Sequence, residues 1–185
     1  TDFSTASRCD VAAEWVWDNV AFKVLHPRVP DSRDPKIDGS RISSSKNNRS
    51  CVLKITGRHG SALLPGDIEA PVERRLLGQI GDVSSTGSLL SADIIIAPHH
   101  GSDTSSSLEF VTTVAAEYAV FAVGFENRYG MPHLTVINRY HHAGTQMLST
   151  SDMGMLNFFV TKSGIHTASY RRQQLRLWHH PPTIR

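Results

Sequence analysis

Three kinds of feature are scarce in this chain, and each scarcity excludes a class of protein. With two cysteines in 185 residues, it has neither a disulfide framework nor the closely spaced Cys pairs of zinc modules. Cys9 and Cys51 can form one bridge or stand as two separate thiols, and their spacing favours neither. No apolar run approaches the ~18 residues that a membrane helix requires, and the first residues do not read as a signal peptide. A formal net charge of +2 is too small to imply a polyanionic partner by itself. Arg171, Arg172 and Arg176 read as a solvated strand end rather than a binding patch.

What remains is ordinary globular material, 39% hydrophobic and 19% charged, and long enough for one domain with a real core. "WVWDNVAFKVLHP" (15–27) reads as a hairpin turning at Asp18-Asn19. Residues 28–49, rich in Pro, Asp, Ser and Lys, read as a mobile loop. A second hairpin, 50–57 and 60–67, turns around Arg58-His59. A helix from Pro71 to Ile80 follows, then a Gly/Ser loop to Ser88 and a β-branched strand at 92–97. A helix (105–115), a buried strand (118–124) and a helix stopping at Gly144 (133–144) come next. Strands at 145–150, 155–162 and 164–172 end the pattern, leaving 173–185 as a tail. Strands paired locally, then alternating with helices, predict a layered α/β (α+β) domain with helices on one face of a sheet.

Chemistry-bearing residues gather just after strands, at Gly66-Asp67, at His99-His100 and from Asn127 to His133. Asp67 can bridge metal ions or cap the next helix. Imidazoles such as those of His99 and His100 suit zinc or manganese. Adjacent side chains leave a strand end in different directions, so one histidine can bind metal while the other meets substrate. Ser102, Thr104 and Ser105 can hold a phosphate at the next helix N-terminus or merely cap that helix. His59 and His133 are the remaining candidate ligands. His26, His141-His142 and His179-His180 read as exposed structural residues. Parallel neighbouring strands lie ~4.8 Å apart, so if 60–64 and 92–97 are such neighbours, Asp67 and one of the paired histidines can reach a single ion.

The segments "NNRSCVLKITGRHGSALLPGDIEAPVERRLL" (47–77), "ADIIIAPHHGSDTSSS" (92–107) and "VGFENRYGMPH" (123–133), taken in order, resemble the C-terminal metallo-β-lactamase-like domain of ComEC-family competence proteins. The 15–27 hairpin resembles the family's preceding hairpin, so the similarity runs from about Cys9 to Gly164. The resemblance implies a four-layer αββα sandwich within a membrane protein that imports DNA during natural transformation. It further implies hydrolysis of phosphodiesters, in the non-imported strand, by divalent zinc or manganese. By position, Asp67, His100 and His99 become metal ligands, and His99, Ser102 and His133 become catalytic groups beside the scissile phosphate. Implied partners are DNA and the remainder of the parent protein, on the periplasmic or extracellular side of its membrane, where a Cys9–Cys51 bridge would be stable.

Two departures from the family pattern stand out. The family's His-x-Asp-x-Asp-His run does not occur in the sequence, and Met131 stands where the family often has histidine. The expectation is therefore the later part of the domain over residues 1–172, inactive and weakly metal-binding in isolation. A non-catalytic DNA-guiding domain, or a hydrolase of another phosphoester, is the alternative.

Overall fold

The computed structural model describes residue 9 and residues 13–27, 45–78 and 87–174. Strands β1 (Glu14–Trp17) and β2 (Val20–His26) form the first hairpin. Its turn residues Asp18 and Asn19 have φ of 51° and 62°, the left-handed pair that a two-residue hairpin turn needs. Strands β3 (Val52–Thr56) and β4 (Ser61–Leu64) form the second. Helices α1 (Ala70–Gly78) and α2 (Gly87–Leu90) lead to β5 (Ile94–Ile96). Helix α3 (Leu108–Val114) leads to β6 (Tyr118–Phe121), and α4 (Leu134–His142) to β7 (Gln146–Ser149). A short α5 (Thr150–Met153), the hairpin β8 (Leu156–Thr161) and β9 (Gly164–Ser169), and a final turn α6 (Tyr170–Gln173) complete the elements.

The first seven strands make one sheet in chain order, antiparallel from β1 to β4 and parallel from β4 to β7. Each parallel step advances in the same direction, so right-handed crossovers deposit their helices on the same face. That face carries the main core: Leu63, Ile95, Ala119 and Phe121 from the strands meet Val72, Leu76, Phe110, Val114, Val136 and Tyr140 from the helices. Alternate residues Ile94, Tyr118 and Val120 point to the opposite face, where Leu156, Phe158 and Ile165 of the β8–β9 hairpin cover them. The central strands are thus buried on both sides, which is why their sequence reads as continuous apolar runs. Among the described residues, no helix is long and apolar enough to cross a membrane.

Several elements differ from the sequence reading. The expected loop of 28–49 falls mostly outside the described residues, but its end, Asn47–Arg49, is a 3-10 turn. Residues 79–86, in the expected end of the first helix and the Gly/Ser loop, and 175–185, most of the tail with His179-His180, also lie outside them. The last strand stops at Ser169, and Tyr170 to Gln173 turn into α6. His26 is not exposed: it is 3% accessible, with its Nε2 hydrogen-bonded to the Asn48 carbonyl at 2.9 Å. Burial holds its pKa below the usual histidine value. Cys9 and Cys51, left open by their spacing, are joined in a disulfide with Cα atoms 6.0 Å apart.

Candidate functional site

β4 and β5 are parallel neighbours in the register Ala62 to Ile94 and Leu63 to Ile95, so their carboxyl ends lie side by side. After β4 the chain turns at Gly66, whose φ of +60° favours glycine; a Cβ there would meet the Ser50 side chain at 2.9 Å. That turn delivers Asp67, whose N–H donates to Ser50 Oγ at 3.2 Å. After β5, Pro98–Gly101 forms a 3-10 turn containing both histidines. The His99 N–H donates to the Gly66 carbonyl at 3.0 Å, tying the two turns together.

His99 and His100 both adopt left-handed backbone conformations, with φ of 47° and 58°. For residues with a Cβ each such conformation costs about 1–2 kcal/mol, and it persists only where surrounding contacts impose it. Here the contacts are on both rings. His100 Nδ1 donates to the Ala122 carbonyl at the end of β6, at 2.9 Å. The tautomer so fixed turns the lone pair of Nε2 toward Asp67 Oδ1, 3.5 Å away. Both side chains are close to half exposed, 49% and 44%, so the pair opens to solvent. A histidine held through its second nitrogen by a carbonyl is the usual arrangement for a metal-ligating ring.

His99 points elsewhere. Its Nε2 accepts from Asn47 Nδ2 at 3.3 Å, and its Nδ1 lies 3.3 Å from Thr104 Oγ1 and 3.8 Å from Glu69 Oε1. Glu69 is itself held by both asparagines: Asn47 and Asn48 each donate to its carboxylate at 3.2 Å, and its N–H donates to Asn48 Oδ1 at 2.9 Å. The two adjacent histidines therefore have separate surroundings, His100 with Asp67 and His99 with Glu69. Sequence reasoning missed Glu69, Asn47 and Asn48. The acid two residues beyond Asp67 was a usable signal; the asparagines, at the end of a polar stretch, carried none.

The helix N-terminus beyond this turn is already occupied. Its cap residue is Ser107, whose side chain makes no capping bond. Instead Glu73 of α1, fully buried, accepts the N–H groups of Ser106 and Ser107. From α4, Arg139 donates to the carbonyls of Ser105 and Ser106 at 2.9 and 3.1 Å. Ser102, Thr104 and Ser105, read in the sequence as phosphate-holding groups or as the cap of this helix, do not cap it, since the cap residue is Ser107. Ser102 is 4% accessible, and its hydroxyl is 3.1 Å from that of Thr104. The carboxylate of Glu73 holds the positive helix end that an anion would seek.

His133 is brought to the same edge of the sheet by its backbone, its N–H donating to the Gly101 carbonyl at 2.9 Å. Asn127 pins the preceding loop by bonding the N–H and carbonyl of Met131 at 3.0 and 2.6 Å. His59 sits in the β3–β4 turn, at the opposite end of β4 from Asp67, and is not part of this cluster. Among the described residues, no group of three or more His, Cys, Asp or Glu is placed to hold a metal ion. Asp67 and His100 fit as two ligands, and two do not complete a site.

Gly101 makes the histidine turn possible. At φ +85° an added Cβ would stand 2.7 Å from Pro132 Cβ and 2.9 Å from the Phe121 ring. Gly101→Ala is expected to destabilise the chain by about 2–3 kcal/mol through overpacking and backbone strain. Chemical denaturation of the variant checks this, and an unchanged midpoint contradicts it.

Fold and site together define a mixed α/β domain presenting a histidine–carboxylate pair at the carboxyl ends of adjacent parallel strands. No family model matches the sequence. It is 32% identical over 177 residues to the competence protein ComA of Neisseria gonorrhoeae, an alignment covering 96% of this chain and 22% of that protein. Recombination protein 2 of Haemophilus influenzae is 26% identical over 162 residues, 86% of this chain and 18% of that protein. ComE operon protein 3 of Bacillus subtilis is 28% identical over 140 residues, 76% of this chain and 16% of that protein. The chain is homologous over most of its length to ComEC-family competence proteins, and spans about a fifth of the length of the curated relatives it matches.

Proposed function

We propose that this chain is the later part of a metallo-β-lactamase-like αββα domain in a membrane protein of DNA uptake, where it serves natural transformation. In that reading the domain hydrolyses phosphodiesters of the non-imported strand with divalent zinc or manganese. The names of the relatives support the uptake role. The observation that carries the chemistry is the Asp67 Oδ1 to His100 Nε2 approach of 3.5 Å, with the His100 tautomer held by Ala122. Asp67 and His100 would hold the ion, and other parts of the parent protein would supply the missing ligands. Once bound, such an ion supplies hydroxide near neutral pH and offsets charge developing on the phosphate. His99, backed by Glu69 and Asn47, and His133 are the substrate-side groups. The Cys9–Cys51 bridge favours an oxidising compartment outside the cytosol.

Cleavage of a single-stranded oligonucleotide by the full-length parent protein with added Zn²⁺ or Mn²⁺ tests the reading. Asp67→Asn and His100→Ala are each expected to lower the rate roughly a hundredfold or more, since removing even supporting groups of a metal site costs 10–100-fold. Wild-type rates in both variants would overturn it. The absence of a third ligand among the described residues favours a second reading, a non-catalytic domain that guides DNA. Salt-dependent binding by the parent protein without metal-dependent cleavage is its signature.

A further inference from the structure

A groove of about 560 Å³ opens beside the histidine turn, between the loop after β6 and the segment formed by β7 and α5. It shares two wall residues with the surroundings of that turn. Phe121 and Pro132 line it, and these are the two residues packed against Gly101. The Ala122 carbonyl that holds His100 follows Phe121 in the chain.

The walls are soft and flat. Phe125, 54% exposed, stands with Met131, Met147 and Met153 around the opening. Thioethers and an aromatic ring make adaptable contacts to a planar ligand, the type of surface on which unpaired bases stack. The polar groups converge at one end. Ser149 and Ser151 hydroxyls are 2.7 Å apart, and Ser151 Oγ donates to Asp152 Oδ1 at 3.2 Å, leaving Oδ2 as an acceptor. Arg172 also lines the groove, with Glu126 as a second acidic group. On the same loop Arg128 lies 4.8 Å over the Tyr129 ring.

The geometry points to a binding site for one unpaired nucleobase that carries an exocyclic amino group, of which cytosine is the type. This rests on the reading of the neighbouring pair as a phosphodiester site. A strand with its phosphate at Asp67 and His100 would carry its neighbouring base along the carboxyl edge of the sheet, where Phe121 and Pro132 connect the histidine turn to this groove. A carboxylate is the natural acceptor for the amino group of cytosine, and thymine has no such group to offer. The Phe125 ring and the methionines stack the base without reading it; Asp152 selects it.

Fluorescence anisotropy of the intact chain with labelled 12-mers of deoxycytidine, of thymidine, and of abasic backbone tests the site. Deoxycytidine is expected to bind about tenfold more tightly than thymidine, and thymidine more tightly than the abasic strand. Phe125→Ala is expected to lower affinity for both base-bearing strands about fivefold and to leave the abasic strand unchanged. Asp152→Ala, which removes the acceptor, is expected to remove the preference for deoxycytidine while retaining thymidine affinity. Unchanged thermal midpoints show that both variants fold. Equal affinity for all three strands overturns the base site while leaving the phosphodiester reading intact. Failure to bind any strand also overturns the base site, while the phosphodiester reading is decided separately by the cleavage assay on the parent protein.

Discussion

Reduction of the Cys9–Cys51 bridge is expected to lower the stability of the folded chain by about 4 kcal/mol. The two residues are 42 apart in sequence, and closing a loop of that length restricts the unfolded chain by about this amount in the chain-entropy description. The bridge joins the segment before β1 to the start of β3, so it also fastens the antiparallel end of the sheet. Urea unfolding with and without a reductant, and of a Cys9→Ser/Cys51→Ser variant, measures the effect. Both should show a lower midpoint and a steeper dependence on urea, because the released unfolded chain exposes more surface. Thiol titration of unreduced, unfolded protein should find no reactive thiol. Two thiols there would remove the bridge and, with it, the compartment inferred from it.

Glu73→Ala is expected to cost about 3 kcal/mol, close behind. The carboxylate is fully buried and joins three helices through the turn at 105–107. It accepts the Ser106 and Ser107 N–H groups, while Arg139 of α4 secures the carbonyls of Ser105 and Ser106. Removing it leaves two donors without partners, each costing about 1–3 kcal/mol when buried. Gln is a poor replacement, since its amide presents a donor to one of the same two N–H groups. Burial pushes the Glu73 pKa up, opposed by hydrogen bonds from Ser107 and Ser106 and by the nearby Arg139 charge. The sign follows from linkage. Between the ordinary carboxylate pKa and the raised folded value, the folded state binds more proton than the unfolded state. The contribution of Glu73 to stability therefore falls as pH rises through that window. Glu73→Gln abolishes that slope while lowering stability. Denaturation midpoints of wild type and both variants across the acid range check this, and a loss below about 0.5 kcal/mol for Ala would refute the clamp.

The Asp67–His100 pair shows how much of such a site is legible in a sequence. Both turns could be seen, because Gly66-Asp67 and Pro98-His99-His100 interrupt apolar strands with residues suited to sharp turns. Their juxtaposition followed from two strands joined by a helix, an order that places them parallel and adjacent. The choice between the histidines could not be seen. It depends on the Ala122 carbonyl, which reaches His100 only because β6 pairs with β5 in the register Ile96 to Val120. The helix cap was misplaced for a similar reason. Ser and Thr beside a helix start are local signals, whereas Glu73 arrives from 33 residues away by the packing of α1 on α3.

By itself, then, the sequence determined the main strands and the three longer helices, the layered order and the turns that carry Asp67 and the paired histidines. Those features depend on periodicity and on turn chemistry, which act over a few residues. Only the tertiary structure decided which imidazole faces Asp67 and that Glu69 and Asn47 back the other. It alone decided that a buried acid occupies the α3 N-terminus and that Cys9 meets Cys51. Each of these is a contact between distant segments, set by strand register and helix packing, and residue spacing carries no record of either.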